Sequence, residues 1–274
     1  MFEWGALRRP AVMGVVNVTP DSFSDGGRFI DVEAAVSHGR ALVREGADLL
    51  DVGGESTRPG AEPVAADVER QRVLPVIRAL VSETGVPVSV DTTKAVVAQA
   101  ALEAGATVVN DVSAGRGDPR MLALVADAGS GYVAMHMRGQ PRTMQDEPRY
   151  DDVVAEVAEF LVGHIETAQS AGIAAERLAA DPGIGFGKKV EHNLALLGAL
   201  DVLRDRVGVP LIIGTSRKRF IAAVVGGQDP GPLHREEGTL ASVAWAVEHG
   251  VDVVRVHDVA PSARLGALAR DVAA

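Results

Sequence analysis

The sequence contains no cysteine. Disulfides, zinc–thiolate sites, iron–sulfur clusters and a thiol nucleophile are therefore excluded. A cysteine-free chain also fits a reducing compartment, so a cytoplasmic location is expected. No apolar run approaches the ~18 residues that a membrane-spanning helix needs. Arg8 and Arg9 precede only a short apolar stretch, Ala11 to Val16, too brief for the core of a signal peptide. An excess of positive charge is missing as well. The 27 Lys and Arg face 37 Asp and Glu, giving a formal net charge of −10 at pH 7. General nucleic-acid binding and attachment to anionic membranes both need the opposite balance. The 7 histidines show no H-E-x-x-H or comparable metal-ligand spacing. His38, His164, His192, His234 and His249 read as surface residues. His136 reads equally as a packed side chain or as a ligand.

What is present is a globular balance, with 47% hydrophobic and 23% charged residues over 274 positions. Ala11 to Val16 reads as a buried strand. A polar, Gly-rich loop follows, then a helical pattern from Val32 that stops at Gly46, a glycine suited to a helix C-cap. Further strands are expected at 49–53, 86–90, 107–110, 132–135, 178–180, 211–213 and 253–256. Further helices are expected at 95–104, 120–128, 153–171, 193–204, 240–249 and 262–273. Strands that alternate with helices imply a parallel sheet. Eight such units over about 250 residues imply a closed (β/α)8 barrel, in one domain spanning 1–274. An open doubly wound sheet usually carries fewer units.

A barrel places its functional side chains where strands end and the following loops begin. Here those ends are Asn17, Asp51, Asp91, Asn110, His136, Asp181, Thr215–Ser216 and Arg255–His257, all polar or charged. The strands enter at the other rim through small or turn-forming residues such as Gly46, Gly85, Gly105, Gly131 and Gly208. Two chemistries share the functional rim. Arg58, Lys218, Arg255 and His257 suit an anion, and their convergence in an acidic protein suggests a phosphate or carboxylate ligand. Arg255 and His257 alternate along the last strand, so they point to one face. Asp91, Asn110 and Asp181 suit the N–H and NH2 edge of a pterin-like or guanine-like heterocycle. Asp181 has a second reading as a brace for the 182–187 loop, and Asp91 as a cap for the next helix.

Three loops carry hinge-capable glycines with an aromatic or cationic tip: Thr19–Gly27, Glu55–Gly60 and Pro182–Lys188. The last has a G-x-G-x-G spacing, which is neither a dinucleotide fingerprint nor a P-loop, because Lys188 precedes Lys189 rather than Ser or Thr. Nicotinamide and ATP are not supported. An oxygen-bound Mg2+ carried with a phosphate is the metal these residues suit.

Val15 to Gly27 and Asp51 to Gly60 resemble the two signatures of the dihydropteroate synthase family. Ser89–Thr92, Asn110–Asp111, Met135–Met137, Asp181–Lys188, Ser216–Arg219 and Arg255–His257 follow in the family's order, so the resemblance covers essentially the whole chain. It departs at Ala114 and Ala222, where many members have Gly. The resemblance implies a pterin-binding TIM barrel that acts as a transferase in folate biosynthesis. It joins 6-hydroxymethyl-7,8-dihydropterin diphosphate to 4-aminobenzoate with loss of pyrophosphate. It implies that Asp91, Asn110, Asp181 and Lys218 hold the pterin. Asn17 binds Mg2+, and Thr57, Arg255 and His257 bind the diphosphate. Phe23, Thr57, Arg58, Pro59, Phe186 and Ser216 build the aminobenzoate pocket, with Ser216 opening a helix whose N–H groups suit the carboxylate. Asp91, Asp181, Lys218, Arg255 and His257 carry the catalytic expectation. It further implies a homodimer and a target of sulfonamides.

Three competing readings are weaker. A pterin-dependent methyltransferase barrel needs neither the diphosphate cations nor the Glu55–Gly60 loop. A silent pterin-binding paralogue should have lost loop residues that are all present. A Schiff-base aldolase using Lys94 or Lys218 would trap with borohydride.

Overall fold

Ala11–Asn17 (β1) is apolar through Val16 and buried through most of its length. That pattern belongs to a parallel strand with side chains filling one face and helices covering the other. The structure, a computed structural model, describes residues 2–19, 32–57, 60–225, 231 and 235–273. From β1 the chain runs through α1 (Val32–Arg44), β2 (Leu49–Gly53), α2 (Ala66–Thr84), β3 (Val88–Asp91) and α3 (Ala95–Glu103). It continues through β4 (Val108–Asp111), α4 (Met121–Ala128), β5 (Gly131–Met135), α5 (Val153–Ser170) and β6 (Leu178–Asp181). The last third holds α6 (Val190–Gly198), α7 (Leu200–Val207), β7 (Ile212–Ile213), α8 (Arg219–Val225), α9 (Glu236–Glu248), β8 (Val253–Val256) and α10 (Val259–Ala273). Short 3-10 turns precede β1 and β6.

The eight strands form one sheet in the order β6-β5-β4-β3-β2-β1-β8-β7, with all pairs parallel. A parallel bridge between Ala180 and Leu211 joins the two ends and closes the barrel. The expected (β/α)8 architecture is therefore present.

Period-two alternation sorts the strand side chains into two environments. Val12, Val16, Leu50, Val52, Val90 and Val109 face outward and pack under the helices. Ala11, Met13, Leu49, Val108, Val133, Ala179, Ile212 and Val253 fill the inside. Phe2 and Trp4 join this inner cluster and plug the end where the strands begin. The Trp4 indole N–H donates to the Arg177 carbonyl at 2.9 Å. Two residues further along the strands the interior turns polar. The register sets Asp51 beside Ser89 and Asp91 beside Asn110.

Gly46 ends α1 as expected, with φ +108. Its N–H reaches the Val43 carbonyl at 3.0 Å, and the Ala47 N–H reaches that of Leu42 at 3.0 Å. Two helices depart from the sequence expectation. The single helix expected at 193–204 is two, α6 and α7, broken at Ala199, whose φ of −122 leaves the helical region. The break lets Leu196, Leu197, Leu200, Leu203 and Val207 all reach the core. The segment 66–84, which carries no helix expectation, forms α2. Pro75 lies inside it and reads as a breaker, yet burial of Val73, Val76, Ile77 and Leu80 holds it. Among the described residues, no helix is long and apolar enough to cross a membrane.

Candidate active site

At the open end of the barrel, Arg255 lies between two carboxylates. Its Nε donates to Asp51 Oδ2 at 2.7 Å and its Nη2 to Asp91 Oδ2 at 2.9 Å. Asn110 Nδ2 donates to the same Asp51 oxygen at 3.0 Å. β1 and β2 separate β8 from β3, so Arg255 reaches Asp91 across the curved interior of the barrel. Asp51 Oδ1 is buried without a partner among the described residues. Two acids share one guanidinium here, and the electrostatics follow from that. Burial and the Asp51 charge raise the Asp91 carboxyl to about 7, against the pull of Arg255. Burial works against the Arg255 charge, but Asp51 and Asp91 outweigh it and keep the guanidinium firmly protonated. Asp91 does not cap the following helix. The Ala95 N–H there is held instead by Asp118, at 3.1 Å.

The wall opposite is built by the loop after β6. Asp181 Oδ1 accepts the Gly183 N–H at 2.7 Å, so the bracing reading of Asp181 holds. Burial raises the Asp181 carboxyl, and the Lys218 charge opposes it. Lys218 donates to the Ile184 carbonyl, and its ammonium lies 4.6 Å from the Phe186 ring centre. Burial pushes the Lys218 ammonium down to about 8, with Asp181 working in the other direction. This loop reads in sequence as a hinged lid, yet it is tied at many points. Lys188 Nζ donates to the Gly183 and Phe186 carbonyls at 3.0 and 3.1 Å and pairs with His136 Nδ1 at 2.8 Å. Asn193 Oδ1 accepts the Gly185 N–H at 2.7 Å, and the Tyr150 hydroxyl donates to the Gly187 carbonyl at 2.8 Å. In this conformation the loop forms a wall of the site, tied at each of these points. Of the two readings of His136 the packed one holds. Burial, then the Lys188 charge, lower its pKa to about 2, so the ring is neutral.

On the third side stand Ser216 and His257. The His257 N–H donates to Ser216 Oγ at 3.2 Å, and its Nδ1 lies 3.0 Å from the same oxygen. Ser216 does not open a helix. It lies in a turn, the left-handed Arg217 (φ +61) follows, and α8 begins only at Arg219. A helix N-terminus for a carboxylate is therefore not available at Ser216. Asn17 ends β1, and its Oδ1 faces Asp91 Oδ2 across Gly53. A Cβ built at Gly53 would lie 3.9 Å from the first and 3.8 Å from the second. Thr57 is half-buried in the loop after β2. Phe23, Arg58 and Pro59 lie outside the described residues, as do the Thr19–Gly27 loop beyond its first residue and His234.

The structure thus gathers Asp91, Asn110, Asp181, Lys218, Arg255, His257, Ser216, Phe186 and Asn17 at one rim. Sequence reasoning left Asp51 without a role, although it stood among the polar strand ends. It also gave no role to Lys188, whose partners come from the β5 end and from its own loop. Ala114, a departure from the family pattern, takes φ +53, which explains the glycine common there.

The family described as pterin binding enzyme matches residues 13–257. Dihydropteroate synthase of Mycobacterium leprae (strain TN) is 50% identical over 255 residues, covering 92% of this chain and 89% of that one. The solved Xanthomonas albilineans dihydropteroate synthase with 4-aminobenzoic acid superposes with a TM-score of 0.90 at 50% identity, over 97% of this chain and 94% of that one. The same organism's enzyme in complex with 7,8-dihydropteroate gives a TM-score of 0.88 at 47% identity, over 98% and 95% of the two chains. This chain belongs to the pterin-binding enzyme family and, within it, to the dihydropteroate synthases.

Proposed function

We propose that this chain transfers the pterin-methyl group of 6-hydroxymethyl-7,8-dihydropterin diphosphate to 4-aminobenzoate, giving 7,8-dihydropteroate and pyrophosphate. The observation that carries the reading is the convergence of Asp91, Asn110 and Asp181, from the ends of β3, β4 and β6, with Lys218, from the loop after β7, at one mouth of the barrel. Acids and an amide complement the ring N–H and NH2 groups of a pterin, and the ammonium complements its carbonyl or ring nitrogen.

The C–O bond between the methylene carbon and the diphosphate breaks, and its electron pair leaves on oxygen. Arg255 and His257 meet that departing charge, with Thr57 as a further donor. Asp51 and Asp91 hold Arg255 by its Nε and Nη2, which leaves Nη1 for the anion. Asp91 and Asp181 support the positive charge that develops on the electron-rich pterin and methylene. The neutral aryl amine attacks that carbon, forms the C–N bond and releases its proton to solvent. No protein nucleophile is needed. Phe186 and Ser216 bound the acceptor pocket, and the tied wall after β6 excludes water.

Asn17 is a hard oxygen donor at the rim, and its Oδ1 and Asp91 Oδ2 both lie close to Gly53. That donor set fits Mg2+, which takes few protein ligands and fills its shell with water and phosphate oxygens. Asn17 would hold the ion, which supplies charge neutralisation at the diphosphate when bound. Sulfonamides, which share the aryl-amine shape of the acceptor, would compete at Phe186 and Ser216. The chain would act in the cytoplasm as a homodimer, which a mass measurement in solution checks.

The test is incubation with the pterin diphosphate, Mg2+ and 4-aminobenzoate, following pyrophosphate and dihydropteroate together. Acceptor-dependent release matched by product is expected. Pterin binding without product would overturn the reading. Asp181→Ala and Lys218→Ala are each expected to abolish pterin binding, and near-normal affinity in either would remove that residue from the pterin site.

A further inference from the structure

Beside the pocket, a cluster of charges joins the loop after β2 to α2 and to the start of α3. Glu69 of α2 has a fully buried side chain at 0% exposure, and Lys94 Nζ donates to its Oε2 at 2.6 Å. The same ammonium donates to Glu55 Oε2. Glu55 uses its other oxygen as well, and Oε1 accepts the Val64 N–H at 3.0 Å. One carboxylate thus closes the loop from 55 to 64 at its base, and its second oxygen ties that base to Lys94. Arg72 of α2 adds a neighbouring tie, with Nη1 donating to the Gly54 carbonyl at 2.7 Å.

Burial raises the Glu69 carboxyl, and the bond to Lys94 opposes the shift. Burial also works against the Lys94 charge, but the bonds to Glu55 and Glu69 outweigh it, so the ammonium stays protonated. A half-buried lysine held between one partly exposed and one fully buried carboxylate is a poor source of net stability. What it supplies is geometry. Lys94 lies three residues after Asp91 on the same β3–α3 connection, and Glu55 lies two residues before Thr57. The Lys94–Glu55 contact therefore sets the loop that carries Thr57 in register with the connection that carries Asp91.

We propose that Lys94 is a positioning residue for the transfer reaction, holding Glu55 so that Thr57 stands at the reacting side of the pterin. This inference rests on the function proposed above. It separates two properties of the site. Free pterin, without a diphosphate, is held by Asp91, Asn110, Asp181 and Lys218 and does not need Thr57. Engagement of the diphosphate, which Thr57 meets as a donor, and of 4-aminobenzoate, whose pocket it borders, does.

The test compares Lys94→Met, Glu55→Gln, the double variant and Lys94→Arg with the wild-type protein. Glu55→Gln keeps the acceptor for Val64 and loses the ion pair. Each of the first two is expected to raise KM for 4-aminobenzoate by about 10-fold while affinity for 6-hydroxymethylpterin alone stays within about twofold. The double variant is expected to match a single one, because both break one tie. Lys94→Arg is expected to restore most of the loss. An unchanged KM in both single variants overturns the proposal. So does a parallel fall in pterin affinity, or multiplication of the two effects in the double variant. If Lys94→Met fails to fold, Glu55→Gln decides alone. A wild-type protein that makes no product overturns the functional reading, and this inference with it. An active wild type with indifferent variants overturns this inference only.

Discussion

Lys218 and Asp91 are displaced toward each other in titration, one down to about 8 and the other up to about 7. Burial is the leading cause in both, since it disfavours whichever form carries charge. The free-enzyme profile of kcat/KM for the pterin diphosphate reports such groups. Falling pH protonates Asp91 and removes a carboxylate acceptor. Rising pH deprotonates Lys218 and removes a cation. A narrow bell is therefore expected, with limbs near the two values. In Lys218→Arg the alkaline limb should move to higher pH, because a guanidinium stays charged there. A limb that does not move would assign that titration to another group. Residue identity at the rim was legible in the sequence because a polar residue that ends an apolar run is a local signal. The state of each group was not. Asp91 titrates as it does because the fold buries it and sets Asp51 against it and Arg255 beside it, residues that lie 40 and 164 positions away along the chain.

The strand-to-helix loops differ in kind from the helix-to-strand loops, and glycine shows it. Gly183 has φ +66, and a Cβ there would lie 1.9 Å from the His136 carbonyl oxygen. Gly183→Ala must displace the wall that Lys188 and Asp181 hold together. Pterin affinity is expected to fall on the order of 10-fold or more, since small displacements at a reacting site are costly. Gly46 has φ +108 at the other rim, where a Cβ would lie 2.9 Å from that of Ala263. Gly46→Ala is expected to cost about 1–2 kcal/mol of stability and to leave both KM values unchanged. Denaturation curves beside kinetics check the pair, and a kinetic effect at Gly46 would contradict the division of labour between the rims. The elements themselves were mostly legible, because apolar strands and amphipathic helices announce their period. Helix α2 was not, because Asp67, Glu69, Arg70 and Arg72 interrupt its apolar face and Pro75 reads as a stop. One of those acids, Glu69, is buried only because Lys94 arrives to pair with it.

The whole molecule separates a base that stabilises from a mouth that reacts. Trp4 is 2% exposed and closes the base with Phe2, the rings meeting edge to face at 4.9 Å. Trp4→Ala is expected to cost about 3–5 kcal/mol, read by denaturation, with KM for both substrates unchanged. A change in KM would mean that the base is coupled to the mouth. By itself the sequence determined the alternation of strands and helices, the excluded chemistries, the family and the rim on which the polar strand ends fall. Each of these follows from local period, composition or contiguous motif. Only the tertiary structure decided that Arg255 is shared by Asp51 and Asp91, that the loop after β6 is tied through Lys188 and Asn193, that Ser216 precedes rather than opens a helix, and that Lys94 clasps Glu55. These depend on strand register and on barrel closure. Arg255 and Asp51 are 204 residues apart in the chain, and the pairing of β8 and β2 on either side of β1 is what brings them within hydrogen-bond reach.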